Sequence, residues 1–290
     1  MDNYDAWMAS LHPLGGLDTR DPDPLQGALL RYGQEVADRE AGVRLGADPE
    51  ELHKQRVATR RLRSLLRSLR DRLEDPERGA WIGAEARWLG RALGEVRDRD
   101  VLIAYLVGEL ATIEEAGSFG AILELLDAER ESARSTVLEA LDSPRYRTLL
   151  AELERPPGLR EGERLAPAVA EEYERLRKAA KRVGKNPSDD ELHRVRIRAK
   201  RARYAAEAMG GEQRFVARVK ALQDVLGEHQ DAAVAEQRIR ELLGQVHGTG
   251  RTALVAGRLI ERQRSRRVAA RTEWPKAWTR LRGAGDYAWR

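Results

Sequence analysis

The sequence predicts an all-α protein made of two helical bundles related by internal pseudo-two-fold symmetry, and three observations carry that prediction. Apolar residues recur at helical spacing along nearly the whole chain, while alternating β-branched or aromatic runs are almost absent and phenylalanine occurs only twice. Strong punctuation at Glu154-Arg155-Pro156-Pro157-Gly158 divides the chain into halves of similar length. An ordered pair of motifs in the first half then returns in the second.

Taken in order, residues 1–24 are rich in Asp, Pro and Gly and read as an irregular lead-in. Helices are expected over 25–45, 49–74, 78–115, 119–140 and 145–153, forming the first half (25–153). A linker occupies 154–161. Helices over 162–184, 189–209, 212–245 and 250–271 belong to the second half (162–282). Two starts are marked by capping chemistry. Asp48-Pro49-Glu50-Glu51 offers an acidic cap, a proline at the first helical position and a glutamate three residues after the cap. Ser188-Asp189-Asp190-Glu191 offers the same box with serine, and each is followed by Leu-His and a basic helix.

Composition excludes several classes. With 41% hydrophobic residues and a mean hydropathy of -0.62, the 290-residue chain can bury a core. No apolar run approaches the roughly 18 residues of a membrane span, so no membrane partner is expected. Met1-Asp2-Asn3-Tyr4-Asp5 is acidic with no apolar run after it, which suggests no targeting peptide and a cytoplasmic location. The sequence has no cysteine, and its five histidines (His12, His53, His193, His229, His247) show no H-x-x-H or H-E-x-x-H spacing. There is no Walker A run, no G-x-S-x-G and no dinucleotide loop. No metal, cofactor or catalytic residue is expected, and the chain reads first as a binding protein, with an enzyme that hydrolyses or transfers phosphate as a further alternative.

The net charge of +4 hides an uneven distribution. From His53 to Leu73 there are eight basic residues and one acid, and from Leu192 to Arg203 six basic residues and none, which leaves the rest of the chain at about -9. Of the 52 basic residues 45 are arginine, whose forked donors suit phosphate or carboxylate oxygens. Codon bias accounts for arginine over lysine in general, but not for the loss of acids from two segments.

Those segments are copies. His53 aligns with His193, Lys54 with Arg194, Arg56 with Arg196, Arg60 with Lys200, Arg61 with Arg201 and Arg63 with Arg203. Leu93-Gly94-Glu95 then matches Leu226-Gly227-Glu228, followed by Asp98 with Asp231 and Val101 with Val234, seven residues having gone from between the motifs. Two helical turns removed would shorten a hairpin without rotating its faces.

On the first copy Arg56, Arg60, Arg63, Arg67 and Arg70 fall within about 80° of arc, with His53 at its edge and Leu62, Leu65, Leu66, Leu69 and Leu73 opposite. His193, Arg196, Lys200 and Arg203 repeat the stripe against Val195, Ala199, Ala202, Ala206 and Met209. Lys54 and Arg61 lie about 140–160° from Arg56. Two readings stand at this level. Acids of neighbouring helices, Asp98 and Asp231 first, would make the stripes an interhelical salt-bridge seam. Otherwise they form a track for an extended polyanion. Arg175, Lys178, Arg182 and Lys185 could widen that track, as could Arg258, Arg262 and Arg266, or these rows could be solvated faces. The histidines serve either as phosphate donors or as structural partners. Nucleic acid is the alternative ligand, but the first basic helix has no aromatic residue and the second only Tyr204, so base stacking is not indicated.

The run His53-Lys54-Gln55-Arg56-Val57-Ala58-Thr59-Arg60-Arg61-Leu62-Arg63-Ser64 resembles the signature of the conserved-histidine α-helical (CHAD) domain family. So do Trp88-Leu89 with Leu93-Gly94-Glu95-Val96-Arg97-Asp98, the run Leu192 to Tyr204, and Leu222-Gln223-Asp224-Val225-Leu226-Gly227 with Asp231. The resemblance covers about residues 25–280. It implies paired bundles around a basic central groove that binds inorganic polyphosphate, with possible association with polyphosphate granules and their proteins. It assigns the conserved histidines to His53 and His193. The groove would be lined by Lys54, Arg56, Arg60, Arg61, Arg63, Arg194, Arg196, Lys200, Arg201 and Arg203. Gln230 stands where the first copy has Arg97, so the second half is expected to lack one salt bridge.

Overall fold

The computed structural model describes residues 24–163, 165–208 and 212–285. The expected lead-in, apart from Pro24, lies outside them, as do Trp7, His12, Met209 and Trp289. Among the described residues the chain forms α-helices and two short 3-10 turns, and no strand.

In the first half α1 (Pro24–Asp38) and α2 (Glu40–Leu45) replace the single helix expected over 25–45. The break falls at Arg39, whose guanidinium bonds Glu51 at 3.2 Å, and α2 ends on Gly46 at φ 71°, a left-handed position that suits glycine. The basic helix α3 (Pro49–Ser68) follows, then the long α4 (Pro76–Leu110), α5 (Gly120–Asp142) and α6 (Pro144–Leu153). The second half comprises α7 (Leu165–Lys181), the second basic helix α8 (Asp189–Ala208), α9 (Gln213–Gln245) and α10 (Gly250–Gly285).

The caps divide the two starts. Ser188 and Glu191 form the full reciprocal box, Glu191 N donating to Ser188 Oγ at 3.2 Å and Ser188 N to Glu191 Oε2 at 2.8 Å. At the first start Asp48 accepts from Glu50 N at 2.8 Å, but Glu51 is drawn to Arg39, so that box stays half-made.

Burial follows the predicted faces. Leu62, Leu65, Leu66, Leu69 and Leu73 of the first copy, and Val195, Ala199, Ala202 and Ala206 of the second, are all buried. The first group joins a core built from α1 to α6 with Ala168 of α7 and Ala208 of α8, the second a core built from α7 to α10. A third core lies at the far end of the long helices, where Leu106, Leu110, Phe119, Ile122 and Leu126 meet Ile239, Leu242, Val255, Leu259 and Ile260. It joins one half to the other.

The linker is pinned to the turn after α3. Leu73 and Leu159 form an isolated antiparallel bridge, Glu74 N donates to Gly158 O at 3.0 Å, and Arg160 N to Arg72 O at 2.9 Å. The seven missing residues are not simply two turns taken from the long helix: α9 starts 13 residues before Leu226 where α4 starts 17 before Leu93. The four residues lost from the helix are close to one turn, so its faces keep their register.

The last helix runs far past residue 271 and carries Pro275 in its interior. Proline removes one backbone donor and ordinarily breaks a helix. Burial overrides that preference here, because Trp274, Ala277 and Leu281 all seat in the second core. Trp274→Ala should therefore lower the unfolding free energy by about 3–5 kcal/mol in urea denaturation. A loss well under 1 kcal/mol would show that the turns beyond Arg271 add little to that core.

Candidate functional site

Helices α3 and α8 pack side by side, and their cationic rows converge on one surface. Arg60 Nε donates to Tyr204 Oη across the seam at 2.8 Å. Lys200 is half-buried beside Arg196 of its own helix and Arg60 and Arg56 of the other, and its ammonium is pushed down to about 7, by burial first and then by those arginines, with Asp231 opposing. His53 is held down to about 4, again by burial first, then by Arg97, Arg60, Arg56 and Lys54. It is therefore neutral at ordinary pH, and its buried Nδ1 has no hydrogen-bond partner.

The strip continues along α3. Arg63 is lowered from its usual value by burial and by Arg87, Arg67, Arg60 and Arg91, and Arg201 by burial and by Arg67 and Arg198. Arginine stays charged in spite of such shifts, so their direction marks positive charge crowded without matching acid. Among the described residues no carboxylate lies within ion-pair distance of Arg60, Arg63, Arg67, Lys200 or Arg201.

At the outer edge the two halves repeat one arrangement. Arg56 Nη2 lies 3.3 Å from Asp98 Oδ1, and Arg196 Nη2 lies 3.6 Å from Asp231 Oδ1. Each guanidinium lies over the glycine of the Leu-Gly-Glu motif. A Cβ at Gly94 would stand 3.3 Å from Arg56 Nε, and one at Gly227 would stand 3.2 Å from Arg196 Nη2. Both aspartates are mostly exposed, at 69% and 60%, so each ion pair is a weak, solvent-screened tether. It orients the arginine and leaves donors facing out.

Not every expected residue reaches the strip. Arg61 sits over the Tyr32 ring at 5.5 Å and 3.8 Å from Glu207, and Arg203 lies 3.2 Å from the same Glu207 and over Tyr204 at 5.0 Å. These two are consumed by the seam, because Glu207 is set between the helices. Arg194 is exposed near Glu191 at the start of α8, and Lys54 is half-buried next to His53. Arg175 is tied to Glu172 at 2.6 Å, while Arg70, Lys178, Arg182 and Lys185 are exposed. The C-terminal row is a structural seam rather than a wider track. Arg258 bonds Glu115 at 2.6 Å, Arg262 bonds Glu109 and Thr112, and Arg266 bonds Glu228 at 2.6 Å and stacks on Tyr105.

Sequence reasoning passed over Arg87, Arg91, Arg97 and Arg198. The signal existed: Arg87, Arg91, Gly94 and Asp98 share one face of α4 at helical spacing. The second half neutralises the matching positions, where Lys220 pairs with Asp224 at 2.8 Å. Gln230 does not cost a salt bridge, since no carboxylate pairs with Arg97 among the described residues. It accompanies His193 instead, at 2.9 Å from Nδ1. A cavity of about 510 Å³ opens beside that histidine, between Asp189, Asp190, Glu236, Arg240 and Arg267, off the strip itself. Among the described residues no histidine or acid cluster could hold a metal ion, and no helix is long and apolar enough to cross a membrane.

Known proteins share this architecture. The family model of the CHAD domain matches residues 27–240. Two uncharacterized proteins of Mycobacterium tuberculosis, from strains CDC 1551 and H37Rv, are each 31% identical over 257 residues, 83% of this chain and 50% of theirs. The chain thus spans about half the length of the curated relatives it matches. The CHAD domain from the plant Ricinus communis superposes at a TM-score of 0.70 with 27% identity, over 92% of this chain and 91% of that one. PptA from Streptomyces chartreusis reaches 0.76 at 23% identity over 88% and 98%, a likeness of fold.

Glycine inside a helix costs about 1 kcal/mol relative to alanine. Gly94→Ala should accordingly leave thermal stability unchanged or slightly raised while displacing the Arg56 guanidinium from Asp98, which a crystal structure of the variant would show. Lost stability with Arg56 unmoved would show that the glycine serves packing alone.

Proposed function

The chain belongs to the CHAD domain family, and from that premise together with the uncompensated cationic strip we propose that it binds inorganic polyphosphate and acts without catalysis, as a scaffold or granule-associated protein. The observation that carries the reading is the convergence of two arginine rows with too few acids. Like charges packed along two helices destabilise the fold until a polyanion covers them. Guanidinium forks bind phosphate oxygens bidentately, and a row rising about 5 Å per turn suits an extended chain of phosphates better than one small metabolite.

The core contacts are Arg56, Arg60, Arg63, Arg67, Arg196, Lys200 and Arg201, with Arg87 and Arg91 extending the first-half wall and Arg198 the second-half wall. His53, neutral and half-buried among Lys54, Arg56, Arg60 and Arg97, borders the strip at this end. A nucleic-acid reading has less support: Tyr204 is buried and its hydroxyl is engaged by Arg60, which leaves no aromatic face on the strip for a base. Polyphosphate granules are the proposed location.

Long-chain polyphosphate should bind more tightly than short phosphates or duplex DNA at matched ionic strength. Arg60→Glu with Arg63→Glu should cut affinity at least about tenfold and flatten its salt dependence. Equal affinity for DNA would remove the specificity, and unchanged affinity in the double variant would move the site elsewhere.

A bound polyanion must raise the proton affinity of Lys200 and His53, so the complex holds more protons than the free chain and binding tightens as pH falls. The Lys200 contribution is present below about 7 and is lost as pH rises above it. The His53 contribution appears as pH falls below the ordinary histidine value toward about 4. Calorimetry in buffers of different ionisation enthalpy should report proton uptake near pH 8, and Lys200→Arg should abolish it. Proton release would contradict this account.

A further inference from the structure

The α3–α8 seam carries its own template for an anion site. Glu207 sets one carboxylate between Arg61 Nη2, at 3.8 Å, and Arg203 Nε, at 3.2 Å. The offset that pairs Arg61 with Arg201 and Arg63 with Arg203 also pairs Arg67 with Glu207. The related position on the first-half side therefore holds a third cation where the second-half side holds an acid. We propose that Arg63, Arg67 and Arg201 form a discrete anion site, in which a phosphate group of the polymer takes the place that the Glu207 carboxylate fills on the other side. This rests on reading the strip as a polyphosphate site, and it makes that site one-sided.

None of the three cations is answered within the chain. Arg63 and Arg67 are exposed one turn apart on α3, and the charges around Arg63 are Arg87, Arg67, Arg60 and Arg91. The charges that weigh most on Arg201 are Arg67 and Arg198. The acid that bears on it, Glu172, is buried and tied through Oε1 to Arg175 at 2.6 Å. Among the described residues no carboxylate comes within ion-pair distance of Arg63, Arg67 or Arg201. Their second-half counterparts Arg203 and Arg61 share Glu207, and Arg61 also lies over the Tyr32 ring at 5.5 Å.

Helix α4 supplies the outer wall. A Cβ at Gly90 would stand 3.1 Å from Thr59 Oγ1, and one at Gly83 would stand 3.9 Å from Leu66 Cβ, so α3 and α4 run antiparallel in close contact. Arg63 and Arg87 both fall between those two levels, and Arg91 follows one turn on. Helix α9 repeats neither the glycines nor the charge. Val216 and Gln223 stand where α4 has Gly83 and Gly90, and Lys220 and Asp224, in place of Arg87 and Arg91, pair at 2.8 Å.

Several guanidinium forks turned on one point suit a tetrahedral oxyanion, since each offers paired donors to its oxygens. A polymer seated between Arg63, Arg67 and Arg201 continues past Arg87 and Arg91. On the other side it meets one acid at Glu207 and another at Asp224.

The substitution Arg67→Glu copies the second-half arrangement into the first and tests the site directly. With a carboxylate between Arg63 and Arg201, the variant should melt at a higher temperature than both the unaltered chain and Arg67→Ala at low salt. Its affinity for long-chain polyphosphate should fall at least about tenfold. Arg214→Glu makes the same charge change at an exposed position on α9. It should leave the melting temperature unchanged and the affinity within about twofold. In the unaltered chain, arginine modification by phenylglyoxal mapped by peptide mass spectrometry gives a second reading. Bound polyphosphate should protect Arg63, Arg67 and Arg201 and leave the reactivity of Arg61 and Arg203 as it was. An affinity loss in Arg67→Glu no larger than in Arg214→Glu would overturn the inference. So would a variant no more stable than Arg67→Ala, or protection shared equally by Arg61 and Arg203. In those cases polyphosphate still binds and the functional reading stands. If the unaltered chain binds no polyphosphate, both fall.

Discussion

Positive charge crowded between α3 and α8 is the constraint around which the rest of the molecule is organised. Two helices whose leucine and alanine faces must be buried can pack side by side only by bringing their arginine faces to the same surface. The fold offsets part of the repulsion. Glu207 is set between Arg61 and Arg203, Tyr204 accepts from Arg60, and Asp98 and Asp231 tether the outermost arginine of each row. It then stops. Arg63, Arg67, Lys200 and Arg201 have no such partner among the described residues, and the downward shifts at Arg56, Arg63, Lys200 and Arg201 all carry burial and like charge as causes. The salt-bridge seam is thus present only at the flanks, where acids serve it, and the centre keeps its charge unpaired among the described residues.

Most of this was legible in the sequence because it is local or periodic. The leucine face, the arginine arc and the Ser188 box depend on spacings of three and four residues, and the duplication depends only on order. What escaped depends on contacts between distant segments. Arg258, Arg262 and Arg266 have the spacing of a basic stripe, and nothing nearby in sequence says that Glu115, Glu109 and Glu228 will be delivered to them from other helices. Pro275 ends a helix on local preference, and only the second core, where Trp274 and Leu281 lie, carries it through. Arg39 breaks the first helix because Glu51, seemingly part of a capping box, is within its reach. Arg61 and Arg203 sit in the right motif, but Glu207 takes them both.

The two halves are alike in backbone and unlike in charge. Arg87 and Arg91 widen the strip on α4, while Lys220 and Asp224 cancel each other at the matching turns of α9. Arg97 helps to hold His53 neutral, while Gln230 bonds His193. The strip's uncompensated charge is therefore densest on the first-half side, around Arg63, Arg87 and Arg91. The duplicated arrangement has kept its geometry and lost its equality of charge.

The long outer helices bear on the same charge. Repulsion across the α3–α8 seam acts to separate the halves, against which Ala168 and Ala208 of the second half are packed into the first core. The long arms of α4, α9 and α10 carry the opposing force to the far end of the molecule. There Phe119, Leu126, Ile239 and Leu259 share one core, and Arg238 to Glu129, Arg258 to Glu115 and Arg262 to Glu109 cross between the halves. Arginines that lay idle on the surface would need no such clamp. Placing the clamp away from the strip keeps its acids out of reach of the ligand arginines, so the halves hold together without neutralising the charge that makes the site.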